Sequence, residues 1–170
     1  ARFLHVKIKE INLICLYLPN GNPAPGPKYD YKISWMDRLL KYTKDIYDNN
    51  EPLILGGDFN VIQQDIDCYD TSKWLGDALY LEKTRKQMKS LINIGLIDSY
   101  RLKYPNSREY SFWDYQAGAW QKDNGIRIDF FLISPEIVDT LIDVGIDKTQ
   151  RGQEKPSDHT PIWIEIENKS

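Results

Sequence analysis

The segment PLILGGDFNV, residues 52–61, is an almost unbroken apolar run that stops at a pair of glycines. A strand with one face in solvent alternates apolar and polar residues, whereas a continuous apolar strand is covered on both faces. The segment IRIDFFLIS, residues 126–134, reads as a second core strand. A chain with two such strands must place them inside a sheet and find cover for it, and the remaining segments supply candidates. Residues 3–8 and 11–18 read as strands joined at Lys9-Glu10, a hairpin. The Pro-, Gly- and Asn-rich stretch 19–27 is a loop. Met36, Leu39, Leu40, Thr43 and Tyr47 share one face at helical spacing and predict a helix over 29–49. An irregular stretch, 62–80, precedes a second predicted helix, 82–94, with Gly95 as its stop. A short strand at 110–114, a polar loop at 115–125, a short helix near 135–141, a segment at 142–147 and a last strand at 161–167 complete the pattern. Irregular alternation with local hairpins predicts an α/β (α+β) domain: a sheet of mixed direction with helices on one side.

At 170 residues and 41% hydrophobic, this is one domain or a large part of one, with 5 Trp and 11 Tyr as bulky anchors. No apolar run approaches the length of a membrane span. The formal net charge of −3 is unfavourable for phosphate contacts made by Lys and Arg alone. It is easier to reconcile with a metal-dependent site, which needs carboxylates. The 2 cysteines, Cys15 and Cys68, need no disulfide, and thiols in a reducing cytosol are the simpler reading.

The acids fall in telling places. Asp58 and Asn60 follow Gly56-Gly57 at the end of a buried strand, where glycine leaves space above the strand end. Asp129 sits between Ile128 and Phe130, and a carboxylate there must be paired. Asp158 and His159 lie in KPSDHTP, a loop stiffened by Pro156 and Pro161. A histidine that handles protons needs a carboxylate behind it, and Asp129 is a candidate for that role toward His159. The other histidine, His5, lies in an alternating strand and carries no role. Taken singly, Asp58 reads as a turn residue, Asp129 as the partner of an arginine, and SDH as a cap. Together they predict a site.

GGDFNV, SFWDY, GIRIDFFLIS and EKPSDHTP occur in the order and context found in the exonuclease III family of abasic-site DNA endonucleases, within the endonuclease/exonuclease/phosphatase superfamily. LYLPNGNP, WMDRL, DIDCYD, GLIDSYR and VGIDK also resemble its bacterial branch, so the resemblance covers nearly the whole chain. It implies two packed mixed sheets flanked by helices, in four layers. It implies a hydrolase dependent on Mg²⁺ or Mn²⁺ that cuts duplex DNA on the 5′ side of an abasic site and trims or cleans 3′ ends. It also implies a cytoplasmic, nucleoid-associated protein that is monomeric when intact. By the resemblance, Tyr17 bonds the scissile phosphate, Asp58 handles the attacking water, and Asn60 holds water and phosphate. Asp129 backs His159, which donates to a phosphate oxygen. Asp158, with Asp58 and Asn60, faces the metal. Phe112, Trp113, Ile126 and Ile128 receive the flipped-out sugar.

One departure qualifies this. The family's upstream strands, with an NxNG-type segment and the main metal-ligand Glu, find no counterpart here. The chain therefore resembles the C-terminal portion of the family domain. The expectations are little or no nuclease activity for this polypeptide alone, and apolar surface left open. The competing readings are a superfamily phosphatase or RNA-directed nuclease, and a non-catalytic module that binds nucleic acid or protein. A binding module's basic stripe is missing from the sequence.

Overall fold

The computed structural model describes residues 2–167. Its strands are β1 (Phe3–Ile8), β2 (Ile11–Tyr17), β3 (Leu53–Asp58), β4 (Ile97–Asp98), β5 (Asp129–Ile133), β6 (Leu141–Ile146) and β7 (Ile162–Ile166). The helices are α1 (Pro27–Asp48), α2 (Glu82–Asn93) and three short ones, α3 (Ser99–Lys103), α4 (Pro135–Val138) and α5 (Lys148–Arg151). Five strands form one mixed sheet in the order β1-β2-β3-β5-β4, and β6 and β7 pair as a separate antiparallel ribbon. Only β2 and β3 run parallel; β1/β2, β3/β5 and β4/β5 are antiparallel.

The two apolar runs became the sheet's centre, as continuous burial requires. Leu53, Ile54 and Leu55 of β3 are buried, as are Phe130, Leu132 and Ile133 of β5. One sheet face packs on α1 and α2 through Leu16, Leu55, Phe130 and Leu132 against Met36, Leu39, Met88 and Leu91. The opposite face, with Ile54 and Ile133, meets Ile137 of α4 and Leu141, Ile164 and Ile166 of the ribbon. Among the described residues this makes three layers: helices, sheet, ribbon. The second sheet of the expected four-layer sandwich is represented by two strands. A cavity of about 590 Å³, lined in part by Ile8, Leu13, Ile54 and Ile166, stays open beside the ribbon.

The hairpin turns at Lys9-Glu10, with Ile8 opposite Ile11. Pro27 starts α1 two residues before the predicted boundary, as its fixed φ suits a first helical position. Gly95 ends α2 at φ +116, and a Cβ there would lie 2.0 Å from the Tyr47 hydroxyl. Two predicted elements change. Residues 110–114 form no strand; Phe112 bridges Ile126 on one side and His159 on the other, a pairing too short for a ladder. The run 126–134 enters the sheet only at Asp129, because Ile126 pairs with Phe112 and the Arg127 amide donates to the Asp67 carbonyl. Strand β4 and helices α3 and α5 were not expected. They are short and lack a periodic signal.

Candidate active site

The sheet register aligns the predicted site. Tyr17 is the Cα partner of Asp58 across the parallel β2/β3 pair, and Asp58 is the partner of Asp129 across the antiparallel β3/β5 pair. Three strand ends therefore set a phenol and two carboxylates side by side at one end of the sheet. Gly57 makes this possible. It sits at φ +139, and a Cβ would lie 2.0 Å from the Leu16 carbonyl oxygen. Only glycine lets β2 and β3 stay paired up to Tyr17 and Asp58.

Asn60 turns the chain immediately beyond β3. Its φ is +48, a left-handed conformation that asparagine tolerates better than most residues. Its amide donates to Asp58 Oδ1 at 2.8 Å, and its Nδ2 donates to Asp58 Oδ2 and to the Leu18 carbonyl, each at 2.9 Å. Asn20 Nδ2 donates to Asn60 Oδ1 at 3.2 Å. The Asp58 carboxylate thus receives two donors from one residue, and the carboxamide is anchored on the loop after β2.

His159 closes the site. Its Nδ1 lies 2.9 Å from Asp129 Oδ2, and its Nε2 lies 3.9 Å from Asp58 Oδ2. Ser111 Oγ donates to the same Asp129 oxygen at 2.6 Å and accepts from the Ile128 and Asp129 amides. The Asp129 carboxylate is therefore fixed by a second donor, and it fixes the imidazole. The Phe112 ring packs edge-on to the His159 ring with centroids 5.1 Å apart.

Electrostatics follow from this crowding. Burial, reinforced by the Asp129 charge, pushes the Asp58 carboxyl up to about 7. The His159 cation is opposed by burial, yet its hydrogen bond to Asp129 and the charges of Asp129, Asp58 and Asp158 raise its pKa above the ordinary value. Both shifts make the folded state hold protons that the unfolded chain releases. For Asp58, stability falls as pH rises from the unfolded carboxylate value to about 7. For His159, stability is present below the unfolded histidine value and is lost as pH rises through the higher folded one. The Asp58 shift alone is expected to cost the chain about 1.5 kcal/mol of stability between about pH 5.5 and about pH 7. Urea unfolding at both pH values measures this, and the slope should flatten in Asp58→Asn.

The structure does not bring every expected residue to this opening. Trp113 is fully buried; its Nε1 donates to Asp123 Oδ1 at 3.0 Å and its ring stands edge-on to Trp120. The assignment of Trp113 to the sugar pocket is corrected on that ground. Successive residues of an extended segment point to opposite sides, so only Phe112 can face His159. Ile126 and Ile128 pack with Ile62, Cys68 and Leu79 in a small core, and only Ile126 also lines a cavity beside Phe112. Asp158 is half-buried, and its carbonyl accepts from the Trp113 amide. Tyr17 is half exposed, with the Arg2 guanidinium 4.5 Å from its ring centroid.

Asp58, Asn60 and Asp158 would offer a divalent ion two carboxylates and a carboxamide. Among the described residues, no group of three or more His, Cys, Asp or Glu side chains could hold a metal ion. The Asn60 carboxamide is moreover already committed at both ends. A divalent ion here would have its shell completed by water or by donors beyond these side chains.

Sequence reading missed two residues. Ser111 carried no signal beyond its place next to Phe112. Lys32 did carry one: it occupies the apolar face of α1 with Tyr29, Ile33 and Met36. Its buried Nζ donates to the carbonyls of Asn20, Asn60 and Ala78 at 2.9, 2.6 and 3.2 Å. Burial lowers its pKa to about 7 against the pull of Asp77 and Asp58. Cys15 and Cys68 are both free thiols.

Comparison with known proteins accords with this geometry. The Endonuclease/Exonuclease/phosphatase family profile matches residues 2–159. The chain belongs to that family. It is 32% identical over 158 residues to exodeoxyribonuclease III of Haemophilus influenzae, covering 88% of this chain and 59% of that protein. An AP endonuclease from Archaeoglobus fulgidus superposes with a TM-score of 0.93 at 32% identity, covering 98% of this chain and 65% of that one. A 3′ phosphatase from Neisseria, solved bound to a product DNA hairpin, gives a TM-score of 0.93 at 33% identity, covering 98% and 65%. The chain thus spans less than two thirds of the length of these relatives. The expected mixed α/β fold and the exonuclease III resemblance both stand.

Proposed function

We propose that this chain carries the phosphate-facing side of a phosphodiesterase that acts on duplex DNA at abasic sites or damaged 3′ ends. The observation that carries the reading is the Asp129–His159–Asp58 triangle on aligned strand ends. The relatives named as an exodeoxyribonuclease and an AP endonuclease support the same chemistry. In-line attack on a phosphodiester spreads negative charge over the phosphate oxygens, and fixed donors are the main aid to it. Protonated His159, held by Asp129 through Nδ1, presents its Nε2–H to such an oxygen. Ionised Asp58 accepts a proton from the attacking water; its raised pKa leaves it a usable base near neutral pH. Tyr17, beside Asp58 at the strand ends, offers a phenolic donor to the phosphate. A divalent ion, Mg²⁺ or Mn²⁺, would belong to this reading with Asp58 and Asp158 as candidate donors, and when bound it would offset charge on the phosphate.

Incision of a duplex containing one tetrahydrofuran abasic analogue tests the reading. A protein extended to the length of its relatives should cut on the 5′ side of the analogue in the presence of Mg²⁺. The 170-residue chain should bind that duplex and cut it far more slowly. An extended protein that leaves the duplex intact would remove the nuclease reading.

A further inference from the structure

Lys32 stands outside the phosphate-facing triangle, and the reaction described above gives it no part. Its side chain is among the largest that are fully buried, at 0% exposure on the inner face of α1. An ammonium has three hydrogens, and each of these finds an acceptor. The acceptors are the carbonyls of Asn20, Asn60 and Ala78, at 2.9, 2.6 and 3.2 Å. They belong to three separate connections: the loop after β2, the turn after β3 and the irregular stretch before α2. A buried cation ordinarily bonds a carboxylate. These bonds go to main-chain oxygens instead, so what they fix is the path of the backbone.

Two of the three carbonyls belong to asparagines of the site. Asn60 holds a φ of +48, and from that pose its amide and its Nδ2 both reach the Asp58 carboxylate. Asn20 Nδ2 donates to Asn60 Oδ1 at 3.2 Å. The two asparagines are thus joined twice, through their side chains and through one ammonium shared by their carbonyls. The Ala78 carbonyl has a second donor, Thr84 Oγ1 at 2.8 Å. The Asn20 and Asn60 carbonyls have no second donor among the described residues. Loss of the ammonium therefore falls on these two residues. Asn60 would lose a restraint that keeps it in a left-handed conformation few residues favour.

We infer that Lys32 is a positioning residue of the centre, holding Asn20 and Asn60 so that Asn60 presents both of its donors to Asp58. The inference rests on the nuclease reading above and adds to it a residue from α1 that is buried away from DNA. Lys32 acts through Asn60 and Asp58, which serve the reacting water and phosphate. Its loss is therefore read in turnover rather than in substrate binding.

The test compares Lys32→Met, Lys32→Gln and Met36→Ala. Met36 is a core residue one turn further along α1 and controls for lost stability alone. In a protein of full family length cutting a tetrahydrofuran-containing duplex, Lys32→Met should lower kcat by about fiftyfold and leave KM within about twofold. Lys32→Gln keeps an amide donor and should lose less, by about tenfold. Met36→Ala should lower the midpoint of thermal unfolding with kcat within about twofold. In the 170-residue chain, the Asn60 amide hydrogen should exchange about tenfold faster in both Lys32 variants, while the amides of Met88 and Leu91 in α2 keep their protection. A kcat within about threefold in Lys32→Met, an equal kcat loss in Met36→Ala, or unchanged exchange at Asn60 overturns the positioning role. Failure of both Lys32 variants to fold would make the residue purely structural and also overturns it. An unaltered protein of full length that does not cut removes the nuclease reading, and exchange at Asn60 then decides by itself whether Lys32 orders the two asparagines.

Discussion

Replacing His159 with alanine in a protein of full family length is expected to lower kcat on a tetrahydrofuran-containing duplex by on the order of a thousandfold. The expectation rests on placement. The imidazole Nδ1 is held 2.9 Å from Asp129, the Asp129 oxygen is fixed again by Ser111, and Nε2 is the ring atom left facing Asp58. Alanine removes the cation that meets the growing phosphate charge. It also leaves two carboxylates beside each other without the positive charge that offsets them, which should raise the Asp58 pKa further. The loss should therefore appear in kcat more than in KM, and the alkaline side of the pH–rate profile should change shape. Single-turnover incision at several pH values measures both. Rates within about tenfold of the unaltered protein would take His159 out of the chemistry.

Arg127→Met is expected to give the largest loss of stability of any single change, about 3–5 kcal/mol. Arg127 is 1% exposed. Its Nε donates to Asp67 at 2.8 Å, and its Nη1 and Nη2 donate to Asp98 at 3.1 and 2.7 Å. Arg101 donates to Asp67 as well. Burial works against the Arg127 cation, but Asp98 and Asp67 hold it firmly charged. Methionine fills similar space yet leaves Asp98 buried with no cation. It also removes the cation from the faces of Phe130 and Tyr100, 4.4 and 5.4 Å from the ring centroids. For a chain of this size the midpoint of thermal unfolding should fall by roughly 10 °C. Adding Asp98→Asn to Arg127→Met should recover part of the loss, since the cost comes mainly from the stranded charge. A fall of less than about 3 °C in the single variant would show that the network contributes little. Arg127 also lies two residues before Asp129, so the same variant should loosen the carboxylate that orients His159.

The central strands were legible because burial on both faces leaves an unbroken apolar run, and its short length with the flanking glycines separates it from a buried helix. The glycines before Asp58 were legible for a related reason: a pair of glycines at the end of such a strand marks close backbone approach, and Gly57 indeed lies against the Leu16 carbonyl. His159 behind Asp129 was readable from rarity and context, because a carboxylate within an apolar strand needs a partner. Trp113 was misread although a strand was expected over 110–114, because adjacent residues of an extended segment face opposite sides and both Phe112 and Trp113 were given to one pocket. Without a settled register at 110–114, nothing in the sequence says which of Phe112 and Trp113 faces inward, and one residue of slip exchanges them. Lys32 was readable in principle, as a lone cation on an apolar helix face, but its three acceptors are backbone carbonyls, which leave no trace in residue identity.

The amino-acid sequence by itself determined which segments must be interior and which polar side chains stand at their ends, because hydrophobic periodicity and glycine placement are local properties. Only the tertiary structure decided that Tyr17, Asp58 and Asp129 share one row, and that Ser111 and not only His159 binds Asp129. Those relations depend on strand order, register and the path of loops across tens of residues. Long-range pairing of that kind is set by how the whole core closes.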